Sequence, residues 1–192
     1  MNHQQLRSPR QPGLPPPRAG KVNIVQGEYF VTDDPNVVVT TLLGSCVAAC
    51  IRDPVARVGG MNHFLLPGSE IRAKDYEAER YGVHLMELLV NGLLQRGARK
   101  DRLEAKLFGG ARTIEGLSDI GARNAAFAER FLQNEDIAIV GGSLRGESGR
   151  RLQFWPVSGR ARQAVMSADK DLQPLPVPSV PKQSDGGEVE FF

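Results

Sequence analysis

Between Asn36 and Leu66 the chain is built to fold as sheet. NVVVTTLL is rich in β-branched side chains, which are stiff in a helix and pack well on a pleated surface, and reads as a strand. LGSC breaks it. VAACIRD follows as another strand, ended by the turn at Asp53-Pro54. VARVGGMNHFLL reads as the strand that returns, with Gly59-Gly60 permitting a bulge or a close backbone approach. Upstream, VNIVQGEYFVT reads as one or two short strands with a turn at Gly27. DDPN is a turn, with Pro35 suited to an early turn position.

Downstream the period changes. A long helix is expected over about 75–96, where Val83, Met86, Leu89, Val90, Leu93 and Leu94 recur at helical spacing and Gly97 supplies a stop. LEAKLFGGA reads as a strand ending in a Gly-Gly turn. A second helix is expected over about 119–133, with Ser118 or Asp119 as its N-cap and Phe127, Phe131 and Leu132 on the core side. IAIVGGS is a strand and RGESGR a loop, and RLQFWPV and RARQAVM pair as a hairpin across Ser158-Gly159. This order predicts an α/β domain of the layered α+β kind: a mixed, largely antiparallel β core with helices packed on one side. It lacks the βαβα alternation of a doubly wound sheet.

Proline marks the ends of the globular unit. Residues 1–20 hold five of the 13 prolines, and four more lie between 174 and 181. The expected organisation is a disordered, basic, Pro-rich arm over 1–21, one domain over 22–170 and a flexible tail over 171–192. The arm carries Arg7, Arg10, Arg18 and Lys21 and no acid, so it is +4 and the rest of the chain −2. A net charge of +2 points to neither nucleic acid nor a membrane surface as partner. No stretch reaches the roughly 18 apolar residues of a transmembrane helix, and the first residues lack the apolar segment of a secretory signal. The expectation is a cytoplasmic protein, without membrane insertion, whose thiols stay reduced. The final GGEVEFF is either a docking peptide or a frayed end.

The two cysteines, Cys46 and Cys50, make no metal pattern, since a structural zinc site needs about four ligands. On one strand their Cα atoms lie about 13 Å apart, too far for a disulfide. Cys50, inside VAACI, reads as a small buried hydrophobe. Cys46 follows Gly44-Ser45 where one β-run ends and another begins, a turn that exposes a side chain and aims backbone N–H groups outward, as an oxyanion requires. Of the three histidines, His3 lies in the arm and His84 reads as a surface or packing residue of the long helix. His63, near the middle of the returning strand, is the partner left for Cys46. A thiol beside an imidazole can ionise near neutral pH and act as a nucleophile. Residue types alone leave two readings open, a Cys–His dyad or ordinary packing. Candidates to orient the imidazole are Thr40, Thr41 and Ser45; Asn62 falls on the opposite face of a regular strand. Ser45 reads as a turn residue rather than a nucleophile, and Gly109-Gly110 as a structural turn rather than a phosphate loop.

The run VVVTTLLGSCVAACIRDPVARVGGMNHFLLP resembles the signature of the bacterial chemoreceptor glutamine deamidases, the CheD family. KLFGGA, IGARN and GRRLQFWPVSGR resemble its further motifs, in order, and the likeness spans about 26–164. The resemblance implies that Cys46 is the nucleophile, His63 the base and Thr40 the residue that positions the histidine, with Gly44 and Ser45 supporting the turn and oxyanion site. It implies a fold similar to the glutamine-deamidating toxin domains. It implies hydrolysis of glutamine side chains in the cytoplasmic helical region of methyl-accepting chemotaxis receptors, through a thioester and without metal or organic cofactor. A chemotaxis response-regulator phosphatase is an implied second partner. The rival expectations are an adaptor that regulates such a phosphatase and a different Cys–His hydrolase or acyltransferase.

Overall fold

The computed structural model describes residues 20–66, 72–112 and 120–166. Most of the expected N-terminal arm, the expected tail and both proposed caps of the second helix, Ser118 and Asp119, lie outside the described residues. Nine strands and two α-helices are described. The strands are β1 Lys21–Asn23, β2 Tyr29–Thr32, β3 Val38–Leu43, β4 Val47–Asp53, β5 Val58–Asn62, β6 Glu104–Gly109, β7 Ala138–Leu144, β8 Arg150–Trp155 and β9 Arg160–Val165. The helices are α1 Arg72–Gln95 and α2 Ile120–Asn134.

The strands form two sheets, ordered β1-β3-β8-β9 and β2-β5-β4-β6-β7. The pairs β1–β3 and β6–β7 are parallel, and β2–β5, β4–β5, β4–β6, β3–β8 and β8–β9 are antiparallel. Both helices contact the five-stranded sheet, α1 on β2, β4 and β5 and α2 on β4, β6 and β7. The four-stranded sheet covers that sheet's other face. The expected mixed, largely antiparallel core with helices on one side is what forms, divided between two sheets.

Strand β4 explains the layering. Its alternate side chains face opposite ways. Val47, Ala49 and Ile51 join the core under the helices with Met86, Leu89, Leu93 and Phe127. Ala48 and Cys50 join the core between the sheets with Val39, Leu43, Leu152 and Phe154. A strand covered on both faces has no polar side to show, which is why VAACI is uniformly apolar. Leu94, placed in the apolar stripe of α1 by its spacing, is exposed instead, while Leu85 joins the buried face.

The Gly-Gly pair of the returning strand lies inside β5 rather than at a turn or bulge. A Cβ on Gly59 would stand 2.3 Å from Pro156 O, and one on Gly60 2.5 Å from Phe30 O. The pair is there for close backbone approach. Strand β5 ends at Asn62, so His63 lies just beyond its end, not near its middle.

Candidate active site

The chain leaves the four-stranded sheet at Leu43 and enters the five-stranded sheet at Val47. Gly44, Ser45 and Cys46 make that crossing, so the thiol sits where the two sheets meet. Three contacts clamp the turn. Ala111 N donates to Gly44 O at 2.8 Å, and Gly110 N donates to Cys46 O at 2.7 Å. The carboxamide of Asn124, fully buried on α2, donates to Ser45 O at 2.8 Å.

Val47 and Phe64 face each other in an antiparallel bridge, exchanging both backbone bonds at 2.9 Å. Their side chains point to the helices. Their neighbours Cys46 and His63 therefore share the other face, as diagonal neighbours across the bridge. Asn124 also ties this second segment, since its Oδ1 accepts from Leu66 N at 2.9 Å. One buried amide thus joins the cysteine turn to the chain just past the histidine.

The His63 backbone is fixed by the β1–β2 loop. His63 N donates to Glu28 O at 3.0 Å, and His63 O accepts from Gly27 N at 2.8 Å. Gly27 holds φ at +87°, in the left-handed region where a side chain is strained. The ring reaches across to the other sheet, where Nδ1 lies 2.8 Å from Thr41 Oγ1. The same hydroxyl donates to Ile24 O at 2.8 Å. A threonine hydroxyl has one proton, so with that proton on Ile24 O it can only accept from Nδ1–H. This assigns the tautomer: Nδ1 carries the hydrogen and Nε2 carries the lone pair. Nε2 is buried and has no hydrogen-bond partner among the described residues.

The hydroxyl expected to hold the histidine was that of Thr40. In the structure Thr41 makes this contact. Alternation along β3 is the reason: Val39, Thr41 and Leu43 face the second sheet, and Thr40 faces away. Thr40 Oγ1 donates instead towards Asn23 Oδ1 at 3.1 Å, joining β3 to β1. Asn62 faces the helices, as expected from the same alternation, with Oδ1 accepting from Ala49 N and Nδ2 donating to Leu85 O. His84 is exposed on α1.

Electrostatics make the resting pair neutral. Burial lowers the His63 pKa to about 4, against the opposing pull of Glu28. Burial raises the Cys46 thiol above its ordinary value, while its own backbone N–H pulls the other way. The fully buried Cys50 thiol is pushed far up by burial and is inert at neutral pH. The site therefore holds a thiol and a free imidazole base rather than a resting ion pair. Among the described residues no three His, Cys, Asp or Glu side chains gather as a metal site.

Two groups that fix the site were not singled out as functional from the sequence. Asn124 lies in IGARN, and nothing about an asparagine inside a helix distinguishes a clamp from a surface amide. Gly109 and Gly110 were legible as a turn. What the sequence does not show is that a Cβ on Gly109 would stand 2.1 Å from Cys46 O, so the turn must be bare for the cysteine to sit on it.

A family model described as CheD chemotactic sensory transduction matches residues 65–164. A Caulobacter vibrioides protein (strain NA1000 / CB15N), named probable chemoreceptor glutamine deamidase CheD, is 57% identical over 183 residues, covering 92% of this chain and 96% of the relative. A Rhizobium johnstonii protein of the same name is 57% identical over 178 residues, covering 91% and 97%. Among solved structures, the Bacillus licheniformis hypothetical protein YfiH is 13% identical with a TM-score of 0.39; the match covers 60% of this chain and about half, 49%, of that one. Within the described residues no helix is long and apolar enough to cross a membrane. With more than half its length matched by the family model and relatives this similar along nearly the whole chain, the protein belongs to the CheD family.

Proposed function

We propose that this chain is a cytoplasmic protein-glutamine deamidase that hydrolyses glutamine side chains of methyl-accepting chemotaxis receptors to glutamate and ammonia. The observation that carries the chemistry is the His63 tautomer: Nδ1–H is committed to Thr41, and Nε2 is a bare, buried base on the face that Cys46 shares. The names of the relatives supply the substrate class.

His63 Nε2 takes the thiol proton, and the Cys46 sulfur attacks the carboxamide carbon. The backbone N–H of Cys46 holds the oxyanion, on a turn kept rigid by Asn124, Gly110 and Ala111. The imidazolium then protonates the leaving ammonia. Water, deprotonated by His63, hydrolyses the thioester, and both residues return to their starting state. Gly44 and Ser45 shape the turn. The helical cytoplasmic region of the receptor is the part that would present glutamines, and a response-regulator phosphatase is the second partner in this reading.

Incubation with receptor cytoplasmic fragments and peptide mass mapping tests it. Glutamine-to-glutamate conversion at defined positions is expected, lost in Cys46→Ala and His63→Ala and largely kept in Cys50→Ala. Chain cleavage would make the protein a peptidase, amine incorporation an acyltransferase, and an unchanged receptor an adaptor.

A further inference from the structure

One contact at the nucleophile remains without a part in the reaction. Cys46 Sγ lies 3.9 Å from Gln26 Oε1, with the thiol as donor. Gln26 is exposed and stands next to Gly27, in the loop whose Gly27 N and Glu28 O bond the backbone of His63. The loop that fixes the base therefore also carries a primary carboxamide to the thiol. That carboxamide is the functional group of the substrate.

A second, independent observation fits the first. His63 is 6% exposed, and its Nε2 lacks any hydrogen-bond partner among the described residues. A buried acceptor left empty is costly, and a thiol on the same face would be its natural donor if its hydrogen were not engaged elsewhere. Here it is directed to Gln26. A thiol has a single proton, so it serves Gln26 or His63, not both.

We propose that Gln26 is a resting occupant of the glutamine site, a built-in mimic of the substrate side chain that holds the Cys46 thiol away from its base. An arriving glutamine takes the place of the Gln26 carboxamide. The thiol then turns to His63 Nε2, and proton transfer follows. Gln26 does not react, because the thiol cannot be deprotonated by His63 while its proton is directed at Gln26. Entry of the correct side chain thus assembles the dyad, and the loop residue sets both the resting reactivity of the thiol and the affinity for substrate. This rests on the proposed deamidase reading, although the first readout below needs no receptor.

The test is the rate at which iodoacetamide modifies Cys46 in the full-length protein, followed by peptide mapping so that Cys50 does not contribute. Gln26→Ala is expected to speed modification several-fold and to lower KM for receptor fragments; Val25→Ala, in the same loop with an exposed side chain, is expected to match the wild type. An unchanged or slower rate in folded Gln26→Ala would overturn the proposal. So would Cys46-dependent conversion of Gln26 itself to glutamate, which would make it a substrate rather than an occupant. Faster alkylation without receptor deamidation by wild type or variant would uphold Gln26 as the group that restrains the Cys46 thiol and sink the deamidase reading alone.

Discussion

The single proton of the Thr41 hydroxyl decides which nitrogen of His63 is basic. Replacing Thr41 by valine keeps the shape and removes the acceptor for Nδ1–H, so both tautomers become populated and the ring loses its anchor. A positioned base contributes about 10²–10⁴-fold to such reactions, and Thr41→Val is expected to cut kcat on the order of 10²-fold with little change in KM. Thr40→Val, which removes a contact to β1, is expected to cost stability rather than this step. The resting pKa of His63, about 4, sets the acid side of the pH profile. Above it the imidazole is neutral and able to accept a proton, so kcat/KM should rise with pH through about 4 instead of 6.5. Thr41→Val should blunt that limb, which a purely structural loss would not do. The same shift acts on stability. An unfolded histidine binds its proton near pH 6.5 and the folded one only near 4, so the native state loses stability as pH falls across that window. Equilibrium unfolding at pH 7 and pH 5, compared with His63→Ala, reads this separately from turnover.

At the scale of elements, α2 works as a clamp on two segments from β-rich regions far away in sequence. Asn124 is the point of contact, donating to the cysteine turn and accepting from Leu66 N. Asn124→Ala leaves both backbone groups without their partner and is expected to cost about 1–3 kcal/mol of stability. Its effect on kcat should exceed what that loss of folded protein explains, because the turn that carries Cys46 slackens; Asn124→Asp keeps the acceptor but turns the donor into a second acceptor against Ser45 O, and should not rescue. A second anchor lies at the opposite end of β4. The fully buried Asp53 carboxylate accepts from Val55 N, Ala56 N, Arg99 N and Arg102 Nε at 2.8–2.9 Å. Burial pushes its pKa up, and the N–H groups of Ala56 and Arg99 with the Arg102 guanidinium outweigh it, leaving the carboxyl below its ordinary value. A depressed folded pKa means that this stability is present above the unfolded value near 4 and is lost as pH falls through the folded one. Asp53→Ala is expected to destabilise by about 3–5 kcal/mol in urea unfolding at pH 7, since it strands Arg102 and two turns. The wild-type and variant curves should converge under acid. Such anchors were partly hidden in the sequence. The Asp-Pro turn was legible from its residues, but that its carboxylate also holds Arg99 and Arg102, about 50 positions on, was not.

Over the whole molecule, the strand runs and helix periods made the layered class legible, because each element shows its buried face by spacing. The division into two sheets was not legible, and with it went the threonine. NVVVTTLL and VAACIRD look like neighbours in one sheet; the Gly44-Ser45 step sends them to different ones, and only that crossing aims Thr41 across a gap at His63. The family model's match begins at residue 65, beyond both Cys46 and His63, so their placement on one face rests on the Val47–Phe64 bridge rather than on that match. Every contact used to build the site comes from residues between Ile24 and Asn124, and the β8–β9 hairpin closes the four-stranded sheet behind it. We therefore expect a chain cut to residues 20–166 to keep the catalytic unit. Measured on receptor fragments, its kcat should stay within about twofold of the full chain, since every contact described at the site is kept. A selective rise in KM would place receptor docking in the ends, with the acidic, aromatic GGEVEFF as the first segment to restore. Loss of kcat at unchanged fold would show instead that the ends reach the site, and would end the one-domain reading of catalysis.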